Sequence, residues 1–108
     1  MANIFKNQYT DLGTSNSDVV TAIASGTGIV LTLRCTNVDG SNDATVTVEV
    51  VDGSSGDAKI ASTMTVPADS SLELAGTSKI VLETGDKIQA LASASGDIEV
   101  FASYLNIT

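Results

Sequence analysis

The sequence predicts an all-β fold, an antiparallel β-sandwich of jelly-roll or immunoglobulin-like type with about eight short strands. Three observations point there. Apolar residues recur with period two through most of the chain, as half-buried strands require. The apolar and small residues are rich in valine, isoleucine and threonine, which pack on a pleated surface and lose rotamer freedom in a helix. Turn-forming clusters of aspartate, glycine, serine and asparagine interrupt the alternation at short intervals.

Taken in chain order, residues 1–9 read as an N-terminal arm and residues 10–108 as one sandwich domain. Asp18 to Ala24 is the first candidate strand, ended by the Gly26-Thr27-Gly28 step. In the next run, Ile29, Leu31, Leu33 and Cys35 are expected on one face, with Val30, Thr32, Arg34 and Thr36 on the other. The turn Asp39-Gly40-Ser41-Asn42 follows. Val46, Val48 and Val50 then share a face opposite Thr45, Thr47 and Glu49. Further strands are expected over Lys59 to Val66, Ser71 to Leu74, Ile80 to Glu83, Lys87 to Ala92 and Ile98 to Ile107. The reversals between them fall at Asp52 to Asp57, Pro67-Ala68-Asp69, Gly76-Thr77-Ser78, Thr84-Gly85-Asp86 and Ser95-Gly96-Asp97.

The final run differs from the rest. Ile98, Val100, Ala102 and Tyr104 make one face, while Phe101, Leu105 and Ile107 make the other, so both faces turn apolar toward the C-terminus. A strand of a simple sandwich shows water one polar face. Two readings stand: the strand is central and its outer face is covered by Ile4, Phe5 and Tyr9 of the N-terminal segment, or that face is a contact with other subunits. Ile4, Phe5, Tyr9, Phe101, Leu105 and Ile107 are therefore the candidate oligomer or shell contact residues.

Composition limits the chemistry. The 108 residues include 13 acidic and 5 basic side chains, for a formal charge of −8, with no histidine, no tryptophan and one cysteine. One core and one domain are expected from this length. The charge disfavours nucleic acid and anionic membrane as partners, since both are bound through lysine and arginine. Without histidine there is no imidazole base, no His-activated nucleophile and no His-containing zinc site. Cys35 has no intrachain partner and is expected to be a small buried residue. The first residues lack the apolar stretch of a secretory signal, so synthesis in the cytoplasm is expected.

No motif adds a reactive site. The acidic loops Asp39 to Asp43 and Asp52 to Asp57 miss the ligand spacing of an EF-hand and read as hairpin turns rather than calcium loops. Glu49, Glu73, Glu83 and Glu99 fall at outward positions, where solvated carboxylates are ordinary. Gly26-Thr27-Gly28 lacks the length and the lysine of a phosphate cradle. No catalytic residue, metal ligand or cofactor site is assigned, and the protein is expected not to be an enzyme. Arg34, the single arginine, is expected to pair with Glu49 if their strands are hairpin neighbours, with an acidic partner chain as the alternative.

The C-terminal half, through Val66-Pro67-Ala68-Asp69-Ser70-Ser71-Leu72-Glu73-Leu74, Lys79-Ile80-Val81-Leu82-Glu83-Thr84-Gly85-Asp86-Lys87-Ile88-Gln89-Ala90-Leu91-Ala92-Ser93-Ala94, Asp97-Ile98-Glu99-Val100 and Ser103-Tyr104-Leu105, resembles small virion structural proteins of tailed bacteriophages, especially phages of marine bacteria and cyanobacteria. The resemblance extends upstream to a short arm, a strand near Val19 to Ile23 and a strand ending in Thr36-Asn37. It implies a non-enzymatic building block of the virion, made in the host cytoplasm. Within the virion the expectation is a capsid decoration or cement protein bound to the major capsid protein or another virion protein as a homo-oligomer, a trimer being favoured. A tail, neck or fibre-base component is the alternative. A small carbohydrate-binding module is the alternative from another class, against which the scarcity of aromatic residues counts.

Overall fold

The computed structural model describes residues 2–53 and 56–108, so Met1 of the expected arm and Ser54 and Ser55 of the Asp52 to Asp57 turn lie outside the described residues. Nine strands make up the described fold: β1 (Asn3–Asp11), β2 (Ser17–Val20), β3 (Thr27–Asn37), β4 (Ala44–Asp52), β5 (Gly56–Val66), β6 (Ser71–Glu73), β7 (Ile80–Leu82), β8 (Lys87–Ala92) and β9 (Ile98–Ile107). Every pairing is antiparallel.

One sheet has the order β1-β9-β3 with both β6 and β7 along the far side of β3; the other has the order β2-β8-β4-β5. Taken together, β6 and β7 are one edge strand interrupted over residues 74–79. Consecutive strands then alternate between the sheets, apart from the β4–β5 hairpin. This is the connectivity of a jelly roll, in which two four-stranded sheets are wound by crossing connections. The immunoglobulin-like alternative keeps hairpin neighbours within a sheet far more often and does not fit.

The inner faces meet in one core. Val30, Leu33, Cys35, Ile98, Val100 and Ala102 from the first sheet pack with Val19, Val20, Val46, Val48, Ile88 and Ala90 from the second. All are shielded from water, so a strictly local alternation has become a shared apolar layer.

The expected face assignment in β3 fails in its first half. The register along β9 jumps from Val30 opposite Tyr104 to Thr32 opposite Ser103, leaving Leu31 as an extra residue in a bulge. The bulge swaps the faces of everything before it. Val30 is therefore buried, whereas Ile29 and Leu31 are only half-buried; Leu33 and Cys35 keep their expected inward positions. On the other side of β3, the gap between β6 and β7 removes ladder partners at the same place. Side chains replace them: the Leu33 N–H donates to Glu73 Oε2 at 2.8 Å, and Lys79 Nζ donates to the Leu31 carbonyl at 3.3 Å. Glu73 also accepts from the Ala75 N–H at 3.0 Å, so it holds the strand break rather than serving only as a solvated carboxylate.

The N-terminal segment is likewise part of the sheet. The boundary expected between residues 9 and 10 falls inside β1, which pairs with β9 through an unbroken register from Asn3 opposite Ile107 to Asp11 opposite Glu99. The strand β9 is central, as one reading required, but β1 lies beside it and does not cover its outer face.

Two buried asparagines tie the connections to the strands. Asn37 Nδ2 donates to the carbonyls of Asn42 and Val66, both at 2.9 Å, and its Oδ1 accepts from the Asp39 N–H at 2.9 Å. Asn106 Nδ2 donates to the carbonyls of Ser25 and Thr27, both at 3.2 Å. The turns expected at Asp69, Gly85 and Gly96 place those residues at positive φ.

Candidate functional site

Residues directly opposite in an antiparallel ladder share a face, so the registers of the first sheet define its outer surface. Phe5, Leu105, Ile29 and Val81 are successive partners across β1, β9, β3 and β7. They form an apolar row spanning the whole sheet, open to solvent at its ends, where Phe5 is 74% and Val81 61% exposed. A second row runs Tyr9, Phe101, Arg34 and Glu73 across β1, β9, β3 and β6. Between them lie Asn7, Ser103 and Thr32, and Ile107 extends the apolar surface next to Leu105.

Five of the six candidate contact residues, Phe5, Tyr9, Phe101, Leu105 and Ile107, thus stand on one face. Ile4 does not join them: it registers with the buried Asn106 and points to the other side of β1. Ile29 and Val81 belong to the same surface and were not anticipated, because the bulge that turns Ile29 outward is invisible to simple alternation. Contiguous exposed apolar strips of this kind often mark contact surfaces on proteins.

Acidic groups rim one end of this face. Asp11 and Glu99 are register partners beyond Tyr9, and Tyr9 Oη lies 3.4 Å from Glu99 Oε2. Partial desolvation, the charges of Glu99 and Asp11 and the hydrogen bond to Glu99 raise the Tyr9 pKa. Arg34 pairs with Glu73 at 3.7 Å, not with Glu49 as expected, because β3 and β4 lie in different sheets; Glu49 pairs instead with Lys59 at 3.6 Å. In each pair the cationic partner is well exposed, so the pair contributes little to stability, about 1 kcal/mol or less.

The remaining groups read as architecture. Among the described residues, Asp52, Glu83 and Asp86 bring carboxylate oxygens within 4.8 Å of one another beside an open hollow of about 530 Å³. Asp52 ends β4 whereas Glu83 and Asp86 share the turn after β7, a separation that spacing alone does not reveal. The buried Asp86 accepts from the Gly53 N–H at 3.1 Å and from the Glu83 N–H at 3.0 Å, one bond to each oxygen, and so fastens two turns together. In the Asp39 to Asp43 loop, Asp39 accepts from the N–H groups of Ser41 and Asn42 and from the Asn42 amide, which hold its carboxyl below the usual aspartate pKa. Cys35 is a buried free thiol whose pKa is pushed up to about 12, first by burial and then by the charge of Glu73. No helix among the described residues is long and apolar enough to cross a membrane.

No protein-family model matches the chain, and no curated protein matches it in sequence. In fold it is similar to a Bacillus endospore appendage protein described as forming disulfide-linked pili (TM-score 0.55, 12% identity, 97% of this chain and 86% of that one). It is similar to Drosophila NLP-core, described in connection with pentamer formation and histone binding (TM-score 0.54, 16% identity, 99% and 98%). It is also similar to a chain of the capsid of Helicobacter pylori bacteriophage KHP30 (TM-score 0.52, 12% identity, 97% and 86%). At these identities the likeness is one of fold.

Proposed function

We propose that the protein is a non-enzymatic structural component of a bacteriophage virion that binds the outer shell as a decoration or cement protein. The observation that carries this reading is the apolar row Phe5–Leu105–Ile29–Val81 on the outer face of the first sheet, continued by Phe101 and Tyr9. Such a surface suits contact with another protein, and burying the exposed Phe5 and Val81 at its ends supplies at most about 1.5–3 kcal/mol each. The three fold relatives lend support of a general kind, because pili, a pentamer and a capsid are all assemblies of repeated subunits. The virion assignment itself rests on the sequence resemblance to small phage structural proteins.

In this reading the acidic rim of Asp11 and Glu99 meets a basic surface on the major capsid protein or another virion protein. A charge of −8 speeds encounter with such a surface and keeps free copies soluble. Copies related by symmetry multiply a modest single contact by avidity, and a trimer places three outer faces around one axis. No nucleic acid, membrane, metal or cofactor enters the mechanism.

Cryo-electron microscopy of particles from a phage encoding this chain tests the proposal. Density for the jelly roll over the shell, lost when Leu105 and Phe101 are replaced by serine, is the expected result. Density confined to the tail or neck overturns the decoration role, and absence from purified particles overturns the virion reading altogether.

A further inference from the structure

Four edges end the two sheets: β1 and the interrupted β6/β7 in the first, β2 and β5 in the second. Three of them are blunted in ways that stop another strand from docking. The strands β6 and β7 are three residues each. The strand β2 has four residues and a register shift between Asp18 and Val20. The strand β5 is longer, yet its register against β4 shifts twice and Thr63 sits at φ 49.

The strand β1 shows none of these devices. It runs nine residues without proline, and its register along β9 never shifts. The direction of its backbone groups follows from its two ends. The Leu12 N–H donates to the Ile98 carbonyl at 2.9 Å, and the Ala2 carbonyl accepts from the Thr108 N–H at 2.9 Å. Even-numbered residues therefore face β9, and by alternation Asn3, Phe5, Asn7, Tyr9 and Asp11 turn their N–H and C=O groups to the free side.

We infer that this edge pairs with the same edge of a second copy of the chain, antiparallel about a two-fold axis through Asn7. The register is chosen by self-complementarity. Centred on Asn7, all nine residues of β1 find a partner, Phe5 stands opposite Tyr9 of the second copy, and Tyr9 stands opposite its Phe5. Two cross-strand aromatic pairs result, on the outer face beside Leu105 and Phe101. Asn3 falls opposite Asp11 and Lys6 opposite Gln8. A centre on Lys6 instead sets two like charges directly opposite each other and leaves Tyr9 facing Asn3.

Charge at the seam does not oppose a second copy. The chain carries −8 overall, yet the only charged residues of β1 are Lys6 and Asp11, so the seam itself is neutral. The contact is isologous and joins the two outer faces into one continuous surface. It is distinct from a three-fold grouping, which other surfaces have to make, and it does not depend on the virion reading.

The test uses the full chain in solution. Light scattering after size exclusion is expected to give the mass of a dimer, and Asn7→Pro is expected to give a monomer with an unchanged circular dichroism spectrum. Proline is tolerated there because the Asn7 N–H makes no bond to β9, while it blocks the free edge. Should Asn7→Pro unfold, Asn7→Cys decides the matter. Its two thiols meet across the axis at a Cα separation of about 5.5 Å, within disulfide range. Mild oxidation is expected to cross-link Asn7→Cys and not Asn3→Cys, whose opposite residue is Asp11. A monomeric wild type, a mass that Asn7→Pro leaves unchanged, or failure of Asn7→Cys to cross-link overturns the inference.

Discussion

Asn37 is the side chain on which the corner between the sheets depends, and its replacement makes a quantitative test. It is fully buried and makes three hydrogen bonds, to the Asn42 and Val66 carbonyls and from the Asp39 N–H. These bonds join the end of β3 to the following loop and to the end of β5. Asn37→Ala removes all three and leaves their backbone partners unsatisfied. At about 1 kcal/mol for each bond lost, the expected cost is about 3 kcal/mol. A domain of this size has a total stability of about 5–15 kcal/mol, so the loss is a large share of it. The melting temperature should fall by about 12 °C or more. Asn37→Asp separates hydrogen bonding from size: an ionised carboxylate cannot donate and would face two carbonyl oxygens. Its pKa is raised by the fold, so its stability is retained at low pH and lost as the pH rises through that raised value. Urea unfolding followed by circular dichroism, at neutral and acidic pH, reads both effects. A cost of less than about 1 kcal/mol for Asn37→Ala, or an Asn37→Asp protein as stable as wild type at neutral pH, would refute the reasoning.

Three further outcomes are expected. Gly26 has φ +77, and a Cβ there would collide with the Ile107 carbonyl, so Gly26→Ala should destabilise the fold by more than about 1 kcal/mol in thermal melts. The thiol of Cys35 should be inert to alkylating reagents in the folded protein and react at once in denaturant; because its pKa is raised to about 12, its contribution is complete below the unfolded thiol value and is lost as alkaline pH approaches the folded one. Asp39 has a lowered pKa from the Ser41 and Asn42 N–H groups, so its contribution is complete above the unfolded aspartate value and lost as the pH falls through the folded one; Asp39→Ala should flatten the acid limb of a pH–melting curve.

Much of the fold was legible because burial parity is a local property. Val46, Val48 and Val50 alternate with threonine and glutamate, and the structure places the first two in the core with Val50 packed against it. The two-sided apolar pattern of Ile98 to Ile107 marked a strand with work on both faces, and β9 is the central strand of its sheet, with Phe101 45% exposed on the outside. Alternation fails where the backbone breaks its own period. The bulge at Leu31 lies opposite the gap between β6 and β7, more than forty residues away, and no alternation near Ile29 announces that it faces outward. Arg34 shows the same limit: its charge predicted a cross-strand partner, but which strand lies next to β3 is a matter of topology, and Glu73 rather than Glu49 is there.

By itself, then, the amino-acid order determined that this chain makes short strands joined by tight turns around one core, and that it holds no histidine-based chemistry. Both depend on residue type and on contacts a few positions apart. Only the tertiary structure decided between jelly roll and immunoglobulin-like winding, set β1 beside β9 instead of over it, and assembled Phe5, Leu105, Ile29 and Val81 into one row. Those are facts about which distant strands become neighbours, and neighbours are selected by the packing of the whole sandwich.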